Sequence, residues 1–226
     1  MNKHFSINNF CNVEEIGNIL NYYEILETSQ EYSSKRAKRK NMDYHDSDIS
    51  FMRDIIDPKI KNHFPNGFVS AATFTNWVEQ VELHTDSWQP QEDKTKKLGY
   101  SVLVPLQIEP ISATTSTIIF NQYADNKSSL TTEKFEQDEK WNISEHITTA
   151  KANIINKTKN TLDKKFYEKY LNHIDYDMIK NFADPTRYEW KVGNAIVWDR
   201  MLFHTSETFQ PALESKLHMI FLINFH

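Results

Sequence analysis

Short runs of β-branched and aromatic residues, joined by polar turns, are the feature that most limits how this chain can fold. The runs occupy 68–84, 98–106, 114–123, 188–191, 195–203 and 216–226. Residues of these types favour strands, because they pack well on a pleated surface. Short strands separated by polar turns are typical of a sandwich or barrel rather than of a βαβ sheet. A chain of 226 residues is long enough to build one such domain around a buried core.

Two helices are predicted before the first of these strands. Asn12 is followed three residues later by Glu15, and this pair predicts a capping box at a helix start. The residues that follow at helical spacing and should face the core are Ile16, Ile19, Leu20 and Tyr23. A second, short helix is predicted over 47–56, ending before Pro58. Segment 1–66 is therefore expected to supply helices that support the barrel.

Charge and composition exclude several kinds of partner. The net charge is −5, and no aromatic residues are interleaved with the mostly basic run at 35–40. This run is interpreted as a solvated loop rather than an anion-binding or nucleic-acid-binding patch, and no nucleic-acid partner is expected. The amino terminus lacks an apolar signal-peptide core, no stretch is long enough to cross a bilayer, and Cys11 alone cannot form an internal disulfide. These features predict a cytoplasmic protein with no membrane partner.

Between 124 and 184 the strand pattern disappears, and lysine, asparagine and threonine dominate. Residues that recur four apart there, as on one face of a helix, are Leu162, Phe166, Tyr170 and Ile174. We interpret 124–184 as a mostly helical insertion, with Trp141 as a possible anchor, between two groups of barrel strands at 67–123 and 185–226. The insertion could be a lid over a site or a decorated connection, and the sequence favours neither.

Candidate metal ligands lie at the ends of two of the predicted strands. His84 and Asp86 are two residues apart, so on a strand both side chains would point to the same face. Together they make two thirds of a facial site, in which two histidines and one carboxylate hold one side of an iron and leave the other side open. His204, which follows the apolar run at 195–203, is the best candidate for the third ligand.

A second His-x-Asp sequence, His173-Ile-Asp175, lies in the predicted insertion. On a helix, residues two apart diverge by roughly 200° around the axis, so this imidazole and carboxylate would not share a face. Too few residues separate the pair from His204 for several barrel strands to lie between them. We therefore exclude this pair as ligands.

The pattern of His84-Thr-Asp86, a distant His204 and a basic residue twelve positions later at Lys216 resembles that of the 2-oxoglutarate/Fe(II)-dependent dioxygenase superfamily. The family's glycine turn and the strand leading to its second histidine are similar to Val192-Gly-Asn-Ala-Ile-Val-Trp-Asp-Arg-Met-Leu-Phe-His204. The resemblance covers 68–226 and implies a mainly β fold with flanking helices: a double-stranded β-helix, which is a jelly-roll or cupin-like barrel. Lys216, and Tyr100 shortly after the His-x-Asp pattern, add some likeness to the prolyl 4-hydroxylase branch.

The resemblance also implies roles for these residues. His84, Asp86 and His204 would hold Fe(II), while Lys216 would bind the far carboxylate of 2-oxoglutarate and Tyr100 would make a further contact to this co-substrate. The protein would then be an oxygenase that hydroxylates a C–H bond of a small-molecule or peptidyl substrate and releases succinate and CO2. A lysine among apolar neighbours is costly to bury without an anionic partner, which is consistent with this role for Lys216.

Two other functions stay open on the sequence. A cupin-like barrel can bind a metal or a small ligand without redox chemistry, but it has no need for Lys216. A catalytically inactive scaffold could bind a partner through the insertion, although it would not need intact ligands.

Several further residues have open roles. Trp88 and Arg200 flank the ligands and could meet substrate, although scaffold or rim is the favoured interpretation, and Asn121 and Gln122 could line the barrel mouth. His218, two residues from Lys216, could support the residues of the site, but a satisfied core histidine is favoured, and His226 is expected to be unengaged.

Overall fold

The computed structural model describes residues 3–27, 36–86, 97–124, 154–155, 161–182 and 184–225. In this part of the chain the strands are β1 (His4–Ile7), β2 (Ala37–Met42), β3 (Gly67–Trp77), β4 (Lys97–Glu109), β5 (Ser116–Ala124), β6 (Ile154–Ile155), β7 (Thr186–Glu189), β8 (Ala195–Asp199), β9 (Leu202–Ser206) and β10 (Ser215–Phe225). Six of them form one antiparallel sheet in the order β1-β8-β4-β10-β3-β2. In the second sheet β5 pairs with β6, β7 and β9, also antiparallel. The predicted double-stranded β-helix is confirmed.

The two sheets enclose a shared interior, and strand alternation decides which side chains reach it. In β10, Leu217 and Met219 belong to the outer apolar cluster, so Lys216 and His218 point inward. The same alternation in β4 places Leu103 inside. The apolar residues that join the two sheets across the interior are Leu103, Ile119, Trp190, Ile196, Trp198 and Leu202.

The first helix, α1 (Val13–Ile25), covers the outer face of the six-stranded sheet. Its predicted capping box is confirmed: the Asn12 side chain accepts from the backbone N–H of Glu15, and the Glu15 carboxylate accepts from the backbone N–H of Asn12. Three of the four residues expected to face the core are buried, namely Ile16, Ile19 and Tyr23. Local sequence is sufficient to specify this helix, because its cap and its apolar stripe agree.

The second helix, α2 (Ser50–His63), packs beside α1 after a 3₁₀ turn at Ser47–Ile49. The prediction that it ends before Pro58 is wrong, since the helix continues through Pro58 for another turn. Met52, Ile56 and Ile60 repeat every four residues and are buried against the sheet. Extending the helix buries Ile60, and this gain outweighs the one backbone hydrogen bond that Pro58 cannot donate.

Several strand assignments differ from the sequence prediction. In the run at 68–84, which was predicted to be a strand throughout, the strand ends at Trp77. The run at 195–203 is divided by a turn at 200–201 into β8 and β9. The basic run is not a loop, because 37–42 form β2 at the edge of the six-stranded sheet. Ala37 and Met42 are buried there, while the charged residues between them suit an edge strand, which must avoid pairing with other chains. β1, at the opposite edge, was not predicted.

The described part of the insertion packs against the outer face of the second sheet. It contains α3 (Lys164–Tyr170) and α4 (Tyr176–Ile179). Leu162 and Ile174 are buried, but both lie outside α3, so the predicted single helical face is wrong. Ile179 of α4 is buried in a cluster with Phe120 and Phe203, and the aromatic residues of α3 pack partly buried against this cluster. Trp141 lies outside the described residues. None of the described helices has the length and apolar character needed to span a membrane.

Candidate metal centre

Main-chain pairing brings the three predicted ligands together. His84 and His204 form an antiparallel bridge, in which each backbone N–H donates to the other's carbonyl at 3.0 and 2.9 Å. The backbone N–H of Asp86 donates to the carbonyl of Arg200, in the turn before β9. One ligand atom from each of His84, Asp86 and His204 lies within 4.8 Å of the others. The pairing therefore brings these side chains together, although residues 84–86 do not form a regular strand.

The hydrogen bonds of the two imidazoles determine which nitrogen faces the centre. Nδ1 of His84 lies 2.8 Å from the carbonyl oxygen of Glu82, and Nδ1 of His204 lies 3.1 Å from that of Leu202. A carbonyl oxygen can only accept, so each Nδ1 carries a proton, and in a neutral imidazole Nε2 then keeps a lone pair. The two Nε2 atoms face the carboxylate oxygens of Asp86 at 3.7 and 3.4 Å. This donor set fits a divalent metal ion, since neutral imidazoles in this orientation and the carboxylate direct three lone-pair donors at one point.

The carboxylate of Asp86 is held by two donors from the six-stranded sheet. Ser101 donates its hydroxyl to Oδ2 at 2.6 Å, and Trp198 donates its indole N–H to the same oxygen at 3.1 Å. Ser101 and Trp198 are directly opposite each other in the β4–β8 pairing. Burial alone would raise the pKa of Asp86, but the adjacent imidazoles, Ser101 and Arg200 lower it overall. The site therefore keeps an ionised carboxylate in a buried position.

Arg200 supports the backbone of Asp86 from inside the fold. Its guanidinium is 1% exposed, and Nε donates to the carbonyl oxygen of Asp86 at 2.9 Å. Nη1 donates to the side chain of Asn224 in β10 at 2.8 Å. Of the two sequence interpretations, scaffold and rim, the structure favours scaffold.

Lys216 lies in the same interior, deeper than the ligand cluster. Its side chain is 1% exposed, and Nζ donates to Thr115 at 3.3 Å. The ammonium also lies over the rings of Trp190 and Phe209, at 4.7 and 4.9 Å from the centroids. Burial lowers the pKa of Lys216 to about 7, and Glu207 partly offsets this effect. One hydroxyl and two ring faces leave the ammonium with donors to spare, so its surroundings fit an anion.

Tyr100 is not brought to this interior. It precedes Ser101 in β4 and therefore points to the opposite face. Its ring lies 5.0 Å from that of Phe64 and 6.3 Å from that of Phe225, beneath the helices. The predicted contact of Tyr100 with the co-substrate is therefore wrong. Ser101 faces the interior and was missed by the sequence analysis, because residues on both faces of β4 are largely buried and its pattern gives no signal.

The remaining candidates have varied surroundings. Asn121 is exposed, and its Oδ1 lies 3.4 Å from Nε2 of His4, whereas Gln122 is buried. Asp175 of the excluded pair caps α4 and His173 contacts Thr208 at 2.8 Å, so the two do not form a metal site among the described residues. Both residues lie in the turn between α3 and α4, so the prediction that they share a helix is wrong. Trp88 and His226 lie outside the described residues.

His218 is 6% exposed, and its Nδ1 atom is fully buried without a partner among the described residues. The edge of its ring packs against Trp190, with the centroids 5.5 Å apart. The prediction of a satisfied core histidine is therefore wrong.

His173 should make the stability of the folded protein depend on pH, and this effect can be measured without any ligand. Burial, with a smaller effect of Lys216, lowers its pKa from 6.5 to about 4. The unfolded chain binds this proton at a higher pH than the folded protein does, so stability should fall as the pH drops below about 6.5. The expected loss is on the order of 1 kcal/mol per pH unit for this imidazole. Urea unfolding at several pH values checks this: His173→Gln should reduce the slope, and the same change at exposed His45 should not.

Comparisons with known proteins identify the fold. No protein-family model matches the chain, and no curated protein matches it significantly. An oxidoreductase of the 2OG-Fe(II) oxygenase family from Burkholderia pseudomallei has a TM-score of 0.56 at 7% identity, over 99% of this chain and 85% of that chain. HygX from Streptomyces hygroscopicus, solved with nickel and 2-oxoglutarate, has a TM-score of 0.53 at 13% identity, over 98% and 82%.

A third similar structure is SnoN, a non-haem α-ketoglutarate-dependent epimerase from nogalamycin biosynthesis. Its TM-score is 0.55 at 9% identity, over 98% of this chain and 77% of that chain. The identities are low, so the likeness is one of fold. This chain has the double-stranded β-helix fold of the 2-oxoglutarate/Fe(II) oxygenases, as its sequence resemblance implied.

Proposed function

We propose that this protein is a 2-oxoglutarate- and Fe(II)-dependent oxygenase that hydroxylates a C–H bond of a small-molecule or peptidyl substrate. One observation carries the proposal: the Nε2 atoms of His84 and His204 face the carboxylate of Asp86 at 3.7 and 3.4 Å, while each Nδ1 contacts a backbone carbonyl. With both imidazoles neutral, three acceptors this close repel one another unless a cation lies among them. Two imidazoles and one carboxylate form the facial ligand set of non-haem Fe(II) oxygenases.

Each residue of the interior has a distinct role in this proposal. His84, Asp86 and His204 hold Fe(II), and Lys216 holds the far carboxylate of 2-oxoglutarate. Fe(II), when bound, would couple the reduction of O2 to the oxidation of 2-oxoglutarate to succinate and CO2 and of the substrate C–H bond to an alcohol. Trp190 and Phe209 keep water away from the ammonium of Lys216, which strengthens its pairing with a carboxylate.

Two of the similar structures bear on the substrate class and the reaction. HygX has been solved with hygromycin B bound, which favours a small molecule over a peptidyl substrate. SnoN is an epimerase, so proteins of this fold also catalyse reactions other than hydroxylation. Asp86 disfavours halogenation, because related halogenases have a small residue at this position that leaves room for chloride on the iron.

The alternative is a cupin-like protein that binds a metal or small ligand without redox chemistry. Buried Lys216 favours the oxygenase, because a redox-silent metal barrel has no need for a cation in its interior. Anaerobic addition of Fe(II) and 2-oxoglutarate should give a weak visible charge-transfer band, and admitting O2 should release succinate. Metal binding without this band would favour the cupin-like function. Succinate release with amino acids, peptides and nucleosides would then narrow the substrate class.

Ser101→Ala should weaken metal binding by roughly 10- to 100-fold, as loss of a hydrogen bond to a ligand commonly does. The hydroxyl of Ser101 is one of the two described side-chain donors to the carboxylate of Asp86, and the change removes it with little loss of volume. Calorimetric titration with Zn(II) measures the effect. Ser70→Ala is a matched control, because that hydroxyl donates to a backbone carbonyl in β10. Equal affinities in the two variants would contradict the role of Ser101.

A further inference from the structure

Arg200 is a buried cation that is joined to the backbone of the carboxylate ligand by two hydrogen bonds. The residue is 1% exposed. Nε of Arg200 donates to the carbonyl oxygen of Asp86 at 2.9 Å, and the backbone N–H of Asp86 donates to the carbonyl oxygen of Arg200 at 2.9 Å. Nη1 donates to Oδ1 of Asn224 in β10 at 2.8 Å, which fixes the other end of the guanidinium. The positive charge is therefore held in a defined place beside Asp86.

Arg200 also lies where the elements that build the metal centre meet. It is in the turn between β8 and β9, two residues after Trp198. Its backbone N–H donates to the carbonyl oxygen of Gly99 in β4, two residues before Ser101. Trp198 and Ser101 both donate to the carboxylate of Asp86. The guanidinium is thus part of the frame that surrounds this carboxylate.

A positive charge in this place calls for a physical explanation. Burying a guanidinium is costly, and a cation next to a metal site repels the metal ion. A neutral amide donor would also satisfy the carbonyl oxygen of Asp86, at a lower cost of desolvation. Burial raises the pKa of Asp86, and Arg200 is one of the groups that together lower it, so the charge of Arg200 acts on the carboxylate itself. An ion bound to this carboxylate lies in the same electrostatic field.

We propose that Arg200 is a positioning residue whose buried positive charge favours Fe(II) over Fe(III) at the metal centre. This assignment rests on the proposed function, because it concerns an iron ion held by Asp86. A fixed positive charge repels a trivalent ion more strongly than a divalent ion, so the equilibrium Fe(III) + e⁻ ⇌ Fe(II) moves towards Fe(II). The proposed oxygenase starts from Fe(II), so a centre that resists oxidation to Fe(III) stays competent.

The reduction potential of the iron separates an effect of charge from an effect of position. If Arg200 only positions Asp86, its loss weakens the binding of Fe(II) and Fe(III) to a similar degree, and the potential stays the same. If the charge acts on the iron, its loss relieves the repulsion of Fe(III) more than that of Fe(II), and the potential falls. Two unit charges roughly 8 Å apart, at an effective dielectric constant of about 20, change an equilibrium constant by more than tenfold.

Two substitutions of Arg200 provide the test. Arg200→Gln keeps an amide donor and loses the charge, whereas Arg200→Lys keeps the charge and loses the planar group. Redox titration of the iron-loaded protein with mediators under argon, followed by electron paramagnetic resonance of Fe(III), measures the potential. We expect Arg200→Gln to shift the equilibrium roughly tenfold towards Fe(III), which is about 59 mV for one electron. Arg200→Lys should stay within roughly threefold of the wild type.

Arg53→Gln is the matched control, because this arginine also donates to backbone carbonyl oxygens, those of Tyr44 and Asp46 beside α2. It should leave the potential unchanged. An unchanged or raised potential in Arg200→Gln, or an equal fall in Arg200→Lys, would overturn the role of the charge. Failure of the wild type to bind Fe(II) would instead overturn the proposed function, and this inference with it.

Asn224→Asp covers the case in which the Arg200 variants fold poorly. The substitution changes the shape of the side chain little and places a carboxylate against Nη1 of Arg200. The pair would cancel most of the field of the guanidinium, so the potential should fall as in Arg200→Gln. A potential equal to that of the wild type would overturn the assignment of Arg200 without any change to Arg200 itself.

Discussion

Replacing His204 by alanine is expected to abolish Fe(II) binding and all 2-oxoglutarate turnover. The change removes one of two imidazoles and leaves the metal with His84 and Asp86 alone. Loss of a residue that merely orients a ligand weakens metal binding by roughly 10- to 100-fold, so loss of a ligand should exceed 100-fold. Anaerobic Fe(II) titration, followed by succinate release in air, measures both effects. The side chain of His204 is 6% exposed and packs 4.6 Å from Trp198, so the fold of this variant must be checked by circular dichroism.

His84→Ala is the companion variant, because the side chain of His84 is 26% exposed and its loss disturbs the core less. His45→Ala is the control, since this exposed histidine lies at the start of the helical layer, away from the ligands. A folded His84→Ala variant that binds Fe(II) as tightly as the wild type would remove the basis of the metal site.

Replacing Lys216 by methionine should raise the 2-oxoglutarate concentration needed for binding by about 100-fold or more, because a buried carboxylate would lose its charged partner. Metal binding should persist, since Lys216 contacts none of the three ligands in the described structure. Methionine has a similar length and no charge to desolvate, so the ligand-free variant should be at least as stable as the wild type. Calorimetric titration of the Ni(II)-loaded protein measures affinity, and thermal unfolding measures stability. Lys61→Met, at an exposed helix position, is the control.

The pH dependence of binding gives a second check on Lys216. Burial lowers its pKa to about 7, and only the protonated form pairs with a carboxylate. Affinity for 2-oxoglutarate should therefore be full below pH 7 and fall by up to about tenfold per pH unit above it. Lys216→Met should bind weakly at every pH. A wild-type affinity that is independent of pH from 6 to 9, or unchanged affinity in the variant, would contradict the role of Lys216.

The grouping of His84, Asp86 and His204 could be predicted because metal chemistry restricts residue types and strand geometry restricts spacing. His84 and Asp86 share a face as predicted, although the segment that carries them is held by a single bridge to β9 instead of a regular strand. The His173-Ile-Asp175 pair was excluded on the geometry of a helix, but both residues lie in the turn between α3 and α4, where Asp175 serves as a helix cap. Spacing is thus informative only where the backbone of the segment is close to the conformation assumed for it.

The prediction for Tyr100 was wrong because the face on which this side chain lies depends on strand pairing and not on local spacing. Its position after the His-x-Asp pattern suited a co-substrate contact, but a shift of one residue along a strand moves a side chain to the other face. The face of β4 that looks inward is decided by its pairing with β8 and β10, where Ser101 lies opposite Trp198. No pattern within β4 distinguishes the two faces, because both are largely buried.

The sequence by itself determined the elements whose causes are local: the capping box of α1, the apolar strands, and the residue types able to hold a metal ion. Only the tertiary structure decided which strands pair, where Arg200 meets the backbone of Asp86, and that the buried imidazole of His218 lacks a hydrogen-bond partner among the described residues. The physical reason is the separation along the chain of the residues that interact. Caps and alternation depend on residues a few positions apart, whereas partners, faces and charge balance depend on strands brought together from more than a hundred residues away.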